Sequence, residues 1–164
     1  MQEKLAGLGL GRRMLDLKKY RLGFDIWALI LFLVIMCPNF IWFVVPAPND
    51  ILRGDSVTLI ADGIAQVFQV VMIASLCVVI NESGRKPVGR KIKFAIAMLC
   101  AFYLLGWILY YAGVANKIII LDLCAAPCIA FILYAGARKN LAALVSAAIF
   151  MICHLLYGVV NFIL

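Results

Sequence analysis

The chain has 164 residues, of which 66% are hydrophobic and only 14% are charged. A soluble domain of this length carries roughly 25% charged residues, so the polar side chains are too few to cover a surface that faces water. Together with a mean hydropathy of +1.08, this composition excludes a soluble globular protein and predicts a polytopic membrane protein.

Residues 1–23 form a basic, partly amphipathic segment before the first apolar run. Its charge comes from lysine and arginine residues, namely Lys4, Arg12, Arg13, Lys18, Lys19 and Arg21. A basic segment beside a membrane span is attracted to anionic lipid headgroups. We therefore predict a cytoplasmic tail whose partner is anionic lipid.

Five apolar segments follow the tail, and together they predict a single domain over residues 24–164. Each has about 19–24 residues, which at about 1.5 Å per residue crosses a hydrocarbon core of about 30 Å. Because backbone groups in lipid must be hydrogen-bonded within the segment, these spans are helices. The predicted fold is all-α, an integral membrane bundle of five transmembrane helices in contact with the lipid bilayer. The predicted spans are 24–45, 57–80, 94–112, 117–135 and 141–164.

The basic residues alternate from one connection to the next. Six precede the first span, and the four later connections hold one, five, one and two, which accounts for all 15. Because lysine and arginine accumulate on the cytoplasmic side, this pattern predicts a multi-pass protein of the cell membrane with a cytoplasmic N-terminus and an outside C-terminus. The net charge of +7 therefore reflects topology, and we expect no nucleic-acid partner.

Ionisable residues inside the spans are the main indication of a site, because burying charge in lipid is costly. Asp62 and Asp122 are each predicted to lie about 8 Å below the outer end of their spans, and His154 about 15 Å below. Asn39 lies about 9 Å deep on the same scale, beside Pro38, which is expected to kink the first span. Four spans thus place polar groups in the outer half of the bilayer.

The spacing of neighbouring polar residues extends this pattern. Asp62, Gln66 and Gln69 follow i, i+4, i+7 and share one face of the second span. A similar stripe on the fifth span consists of His154, Tyr157 and Asn161. Such stripes avoid lipid and face the bundle interior or a water-filled cavity.

These observations suggest an outward-facing polar pocket in a transporter-like or ligand-binding protein. Asp62 and Asp122 would supply negative charge for a cation or a proton, and His154 would be their titrating partner. Gln66 and Asn39 would orient a small polar or cationic ligand. The alternative is an accessory or scaffold subunit of a membrane complex, with a protein partner or a second copy, whose polar residues serve only helix packing.

Cysteines and known motifs give no catalytic assignment. All six cysteines lie in apolar runs, so we predict no disulfide framework. Cys124 and Cys128 share a helix face and with His154 could hold a soft metal, but C-x-x-x-C is not a redox motif and free cysteine packs as a small hydrophobe. We predict no metal and no cofactor. Phosphate-binding loops, zinc-protease motifs and nucleophile elbows are missing, so an enzyme is not expected.

Two further patterns concern packing. Aromatic residues near the predicted outer ends of the spans are typical of membrane-interface anchors, and they include Trp42, Trp107, Tyr110 and Tyr111. Small residues four apart indicate close helix contact, and the pairs are Ala97 with Ala101, Ala126 with Ala130, and Ala143 with Ala147. Asp25 stands at a predicted helix start, where the helix dipole favours a carboxylate.

Overall fold

The computed structural model describes residues 17–48 and 50–164. Its main elements are α1 (Ile26–Val44), α2 (Leu59–Val78), α3 (Arg90–Tyr111), α4 (Lys117–Ala137) and α5 (Leu141–Phe162). Each helix is long and apolar enough to cross a membrane, so the predicted all-α fold with five transmembrane helices is confirmed. The largest difference from the predicted spans is at α3, whose first turn adds the basic residues from Arg90 onward.

A two-stranded antiparallel sheet lies beside the helices. Strand β1 (Tyr20–Leu22) pairs with β2 (Val79–Asn81), with Arg21 opposite Ile80. The sheet fastens the chain just before α1 to the chain just after α2. Residues 1–16 of the predicted tail lie outside the described residues, whereas its last residues belong to the folded structure.

Polar side chains define where three of the helices begin. Asp25 caps α1, Asn116 caps α4 and Asn140 caps α5, each accepting a hydrogen bond from a backbone N–H of the first turn. Such a cap contributes about 1 kcal/mol because the first N–H groups of a helix have no partner within it. These three residues therefore fix the ends of spans whose apolar interiors carry no stop signal.

The five helices form a closed ring in the order α1–α2–α5–α4–α3, with α3 in contact with α1. Helix α4 is the most enclosed, since 61% of its apolar segment is buried against 17–28% in the other four. The contacts of α1 with α2 and α3 are sparser than those at the other three interfaces. Helix α1 is therefore the most loosely packed wall of the ring.

Small residues bring α4 and α5 close together, as the sequence predicted. The side chains concerned are at most 4% exposed, and they are Ala126, Ala130, Ala143 and Ala147. The same prediction is wrong for Ala97 and Ala101, both of which are exposed on α3. Their spacing is correct for helix contact, but that face of α3 meets no other helix among the described residues.

We predict that Gly84→Ala destabilises the fold. A methyl group at Gly84 would overlap the backbone carbonyl of Arg138, which cannot move without displacing the end of α4. Overpacking of this kind costs about 1–3 kcal/mol. The measurement is thermal unfolding of the detergent-purified protein, followed by tryptophan fluorescence.

The matched control is Gly136→Ala, because a methyl group there meets nothing within 4 Å. This helical glycine should become slightly more stable as alanine, by about 1 kcal/mol. Equal melting temperatures for Gly84→Ala and the parent would contradict the close approach of these two segments.

Candidate ligand-binding cavity

A cavity of 380 Å³ lies between the five helices. Every helix contributes to its wall, and Leu52 and Ser56 of the α1–α2 connection contribute at one end. We call this the α1–α2 end; α1, α3 and α5 finish there, while α2 and α4 begin. Small-molecule sites commonly have volumes of about 300–1,000 Å³, so the space suits a small organic ligand.

Four of the five residues that the sequence analysis selected line this cavity. They are Asn39, Asp62, Gln66 and His154, and they come from α1, α2 and α5. Gln69 and Tyr157 of the two predicted stripes line it as well. The structure therefore brings together polar residues from three helices that are far apart in the sequence.

Asp122 is the exception, because it is not among the residues that line the cavity. Its carboxylate lies against α3, where a methyl group added at Gly106 would be 2.5 Å from Asp122 Oδ2. The adjacent residue Leu123 does face the cavity. Successive residues of a helix point about 100° apart, so depth in the membrane did not specify which way Asp122 points.

Asp62 lies in the first turn of α2, closer to the helix end than its predicted depth. Its Oδ1 accepts a hydrogen bond of 3.0 Å from Thr58 Oγ1, and its Oδ2 accepts one from Ser56 Oγ. The helix dipole also favours a carboxylate at this position. Because each carboxylate oxygen has a second lone pair, Asp62 can still interact with a ligand in the cavity.

The wall that α5 contributes is a column of nearly parallel rings. His154 stacks on Phe150 with ring centroids 5.0 Å apart and on Tyr157 at 6.1 Å, with interplanar angles of 17° and 13°. The spacings i, i+4 and i+3 place these rings on one helix face. Within the described residues, no hydrogen bond engages the imidazole of His154.

The opposite wall is also aromatic, and most of it was not selected from the sequence. The ring centroids of Trp42 (α1) and Trp107 (α3) are 6.3 Å apart. The ring centroids of Tyr103 and Trp107 are 6.5 Å apart, in an edge-to-face arrangement. The hydroxyl of Tyr103 accepts a hydrogen bond of 2.6 Å from Asn39 Nδ2. The i, i+4 spacing of Tyr103 and Trp107 was the available signal for a shared face.

The prediction that Trp107 and Tyr110 are membrane-interface anchors is wrong. They are only 5% and 0% exposed, so neither ring reaches the lipid headgroups. Trp42 and Tyr111 are half-buried. An aromatic residue near a helix end can face lipid or the bundle, and composition does not distinguish the two.

Trp107 has an unsatisfied donor. Its Nε1 is buried and, within the described residues, has no hydrogen-bond partner of good geometry, although the Tyr103 hydroxyl lies near enough to interact with it. Buried donors are nearly always paired with protein, water or ligand. Because Trp107 lines the cavity, an acceptor on a bound molecule is a direct explanation.

Asp50 clamps the α1–α2 end of the cavity. It accepts hydrogen bonds from Trp42 Nε1 (2.8 Å), the Tyr110 hydroxyl (2.8 Å), Arg53 Nε (2.9 Å) and the Ala47 backbone N–H (3.3 Å). Burial alone would raise the pKa of Asp50, but these donors outweigh it and lower the pKa below its ordinary value. The clamp joins the end of α1 to the end of α3.

A second carboxylate, which is buried, holds the other end of α1. Asp25 is 8% exposed and accepts hydrogen bonds from Arg138 Nε at 2.7 Å and from the Tyr134 hydroxyl at 2.9 Å. Burial opposes the charge of Arg138, but Tyr134 and Asp25 outweigh it and raise the pKa of Arg138. Asp25 is thus both a helix cap and half of an ion pair, of which sequence reasoning found only the first.

The described residues contain no group of three or more His, Cys, Asp or Glu side chains that could hold a metal ion. All six cysteines are free. Cys124 lines the cavity and packs against Gly158, where an added methyl group would lie 2.5 Å from its sulfur. Cys128 is fully buried, so both cysteines fill space between helices.

Comparison with protein-family models, curated proteins and solved structures finds no match to this chain. A fold alone does not define an activity. The function is therefore argued from the residues of the cavity.

We predict that Asp50→Asn lowers stability by about 1.5–3 kcal/mol, because its donors then lose a charged acceptor. The native pKa of Asp50 lies below its ordinary value of 3.8. The clamp therefore contributes stability above that ordinary value and loses it as pH falls through the lower native pKa. Melting temperatures at about pH 6 and about pH 3 should thus differ less in Asp50→Asn than in the parent.

The control is Asp55→Asn, which removes an exposed carboxylate from the same connection. It should leave both the melting temperature and its pH dependence close to the parent values. If Asp50→Asn and Asp55→Asn behave alike, Asp50 is not a clamp.

Proposed function

We propose that this five-helix membrane protein binds a small amphipathic molecule, polar or cationic, in the cavity between its helices. The observation that carries the proposal is the convergence of Asn39, Asp62, Gln66 and His154 on one space of 380 Å³. Polar residues of membrane helices that face a cavity commonly mark a ligand or ion pathway. Under this proposal, the protein acts as a receptor or a transporter.

Unused hydrogen-bonding capacity supports binding over packing. Within the described part of the chain, the half-buried ring of His154 makes no hydrogen bond; Gln66 makes none either, but it is exposed and so carries less weight. Among the described residues, Asn39 uses its amide nitrogen but not its amide oxygen, and the indole N–H of Trp107 has no hydrogen bond of good geometry. Residues that only join helices would satisfy each other, because an unpaired polar group in a bundle is costly.

Asn161 on the same stripe of α5 shows the contrast. Its Oδ1 accepts a hydrogen bond of 2.8 Å from the backbone N–H of Val57, and its Nδ2 donates one of 2.9 Å to Thr58 Oγ1. Asn161 thereby fastens the end of α5 to the start of α2. Asn161 is thus paired with a neighbouring segment, whereas several groups around the cavity have no partner among the described residues.

The proposed roles follow from these contacts. Asp62 supplies negative charge at the α1–α2 end, while Gln66 and Asn39 offer amide groups that orient the ligand. His154, whose ring is stacked between Phe150 and Tyr157, offers its ring edge, with nitrogens that have no hydrogen-bond partner among the described residues. Asp122 has no proposed contact with the ligand, because its carboxylate lies against α3. With the predicted cytoplasmic N-terminus, the ligand would be reached from outside the cell membrane.

A second candidate function is that of an accessory subunit in a membrane complex. The exposed pair Ala97 and Ala101 on α3 favours it, since small residues four apart allow another helix to approach closely. In that case the cavity residues serve only the internal packing of the subunit.

A ligand screen with cavity-blocking variants tests the proposal. We expect at least one compound from a panel of small amines, neutral alcohols and carboxylates to raise the melting temperature of the purified protein. A ligand at 100 times its dissociation constant stabilises by about 2.7 kcal/mol. Ala65→Leu adds bulk to a buried part of the cavity wall on α2 and should abolish the shift. Gln66→Trp adds bulk at an exposed position of the same wall and should abolish the shift as well.

Ala97→Leu is the control, because it adds the same bulk to an exposed face of α3. It should keep the full ligand-induced shift. The proposal fails if no compound stabilises the parent, or if stabilisation persists in both blocked variants. Loss of self-association or of a co-purifying subunit in Ala97→Leu, with no ligand shift in the parent, would instead support the accessory subunit.

A further inference from the structure

The charge of the cavity wall restricts what can bind there. Asp62 is the only carboxylate among the lining residues, and the lining that the structure describes includes no lysine or arginine. Arg53 touches the lining residue Trp42, with its guanidinium carbon 4.9 Å from the ring centroid, but it is paired with Asp50 at 2.9 Å. An anion would therefore meet an uncompensated negative charge, whereas a cation would meet a complementary one.

The wall consists largely of aromatic rings, which also favour a cation. Aromatic residues from four helices line the cavity, among them Trp42, Tyr103, Trp107, Phe131, Phe150 and Tyr157. The negative face of an aromatic ring attracts cations, and cages of such rings are a known way to recognise methylated ammonium groups. A bare metal ion is a poor fit, because one carboxylate among aromatic rings offers too few oxygen ligands.

The unpaired donor adds a second requirement. Among the described residues, the buried Nε1 of Trp107 has no well-aligned acceptor, and a methylated ammonium group supplies none. A molecule that carries both an alkylated ammonium group and a nearby oxygen would satisfy Asp62, the rings and Trp107 together. The cavity of 380 Å³ has room for such a molecule of few heavy atoms.

We propose that the ligand is an organic cation with an alkylated ammonium group and an oxygen acceptor, held by the aromatic rings, by Asp62 and by Trp107 Nε1. This proposal rests on the proposed function, since it names the class of ligand for the same cavity. The ammonium group can come from a free solute or from the headgroup of a choline phospholipid.

The test compares choline with dimethylbutanol, the uncharged alcohol of the same shape in which carbon replaces nitrogen. Binding is measured by titration calorimetry on protein in a maltoside detergent, which supplies no ammonium group. We expect the neutral alcohol to bind about tenfold more weakly than choline. Asp62→Asn should weaken choline by a similar factor and leave the alcohol unchanged.

Two further variants separate the contributions. Trp107→Phe keeps a ring but removes the donor, so it should weaken choline more than tetramethylammonium, which has no oxygen. Asp122→Asn is the control for removal of a membrane carboxylate outside the cavity, and it should change choline affinity less than about twofold. If Asp62→Asn does not fold, the Trp107→Phe comparison still tests the proposal.

The outcomes distinguish this proposal from the proposed function. If the alcohol binds as tightly as choline and both are lost in Ala65→Leu, the cationic class is wrong but the cavity is a ligand site. If a carboxylate binds best, the cationic class is again wrong. If no compound binds, the proposed function itself fails.

Choline affinity measured in lipid nanodiscs distinguishes the two sources of the ammonium group. Choline affinity that falls when phosphatidylcholine replaces phosphatidylethanolamine, a headgroup of the same net charge without methyl groups, identifies the lipid headgroup as a competitor for the site. Choline affinity that is equal in both lipids identifies a free solute. Either result supports a cationic ligand, provided that choline binds more tightly than the neutral alcohol in detergent.

Discussion

Helix α1 is held in place at both of its ends by a carboxylate that accepts several hydrogen bonds, and the cavity depends on that attachment. In lipid, apolar surfaces gain little by leaving one apolar environment for another, so helix association relies on close packing and polar contacts. The contacts of α1 with its neighbours are sparse. Asp25 joins its start to Arg138 and Tyr134, and Asp50 joins its end to Tyr110. Without these clamps the ring would lose its fifth wall.

The ring has a tight side and an open side, and residue size accounts for both. Alanines such as Ala130 and Ala147, both 0% exposed, let α4 and α5 approach closely. On the side of α1 and α3, the ring centroids of Trp42 and Trp107 are 6.3 Å apart. These large rings keep the backbones of α1 and α3 separated. Space therefore remains where aromatic side chains meet, and the unpaired groups of the bundle line that space. Fold and proposed binding thus have the same cause.

The sequence predicts the five spans well, because apolar length is a local property that membrane thickness constrains. The 3.6-residue repeat also joined Asp62 to Gln66 on one face. Rotation was harder to predict, since Asp122 has a suitable depth but points toward α3. Contacts between residues that are distant in the sequence could not be predicted. Asp25 and Arg138, which are 113 residues apart, are an example. No local pattern links those two residues, and only the closed ring brings them together.

If the cavity binds an organic cation, anomalous diffraction should locate a heavy-atom cation inside it. Tetramethylarsonium has the shape and charge of tetramethylammonium, and its arsenic atom can be located without reference to a model of the ligand. We expect an arsenic peak inside the ring of helices, among Trp42, Trp107 and His154 and near Asp62. Crystals soaked with the compound that show a peak only at the protein surface, or none, would contradict the account.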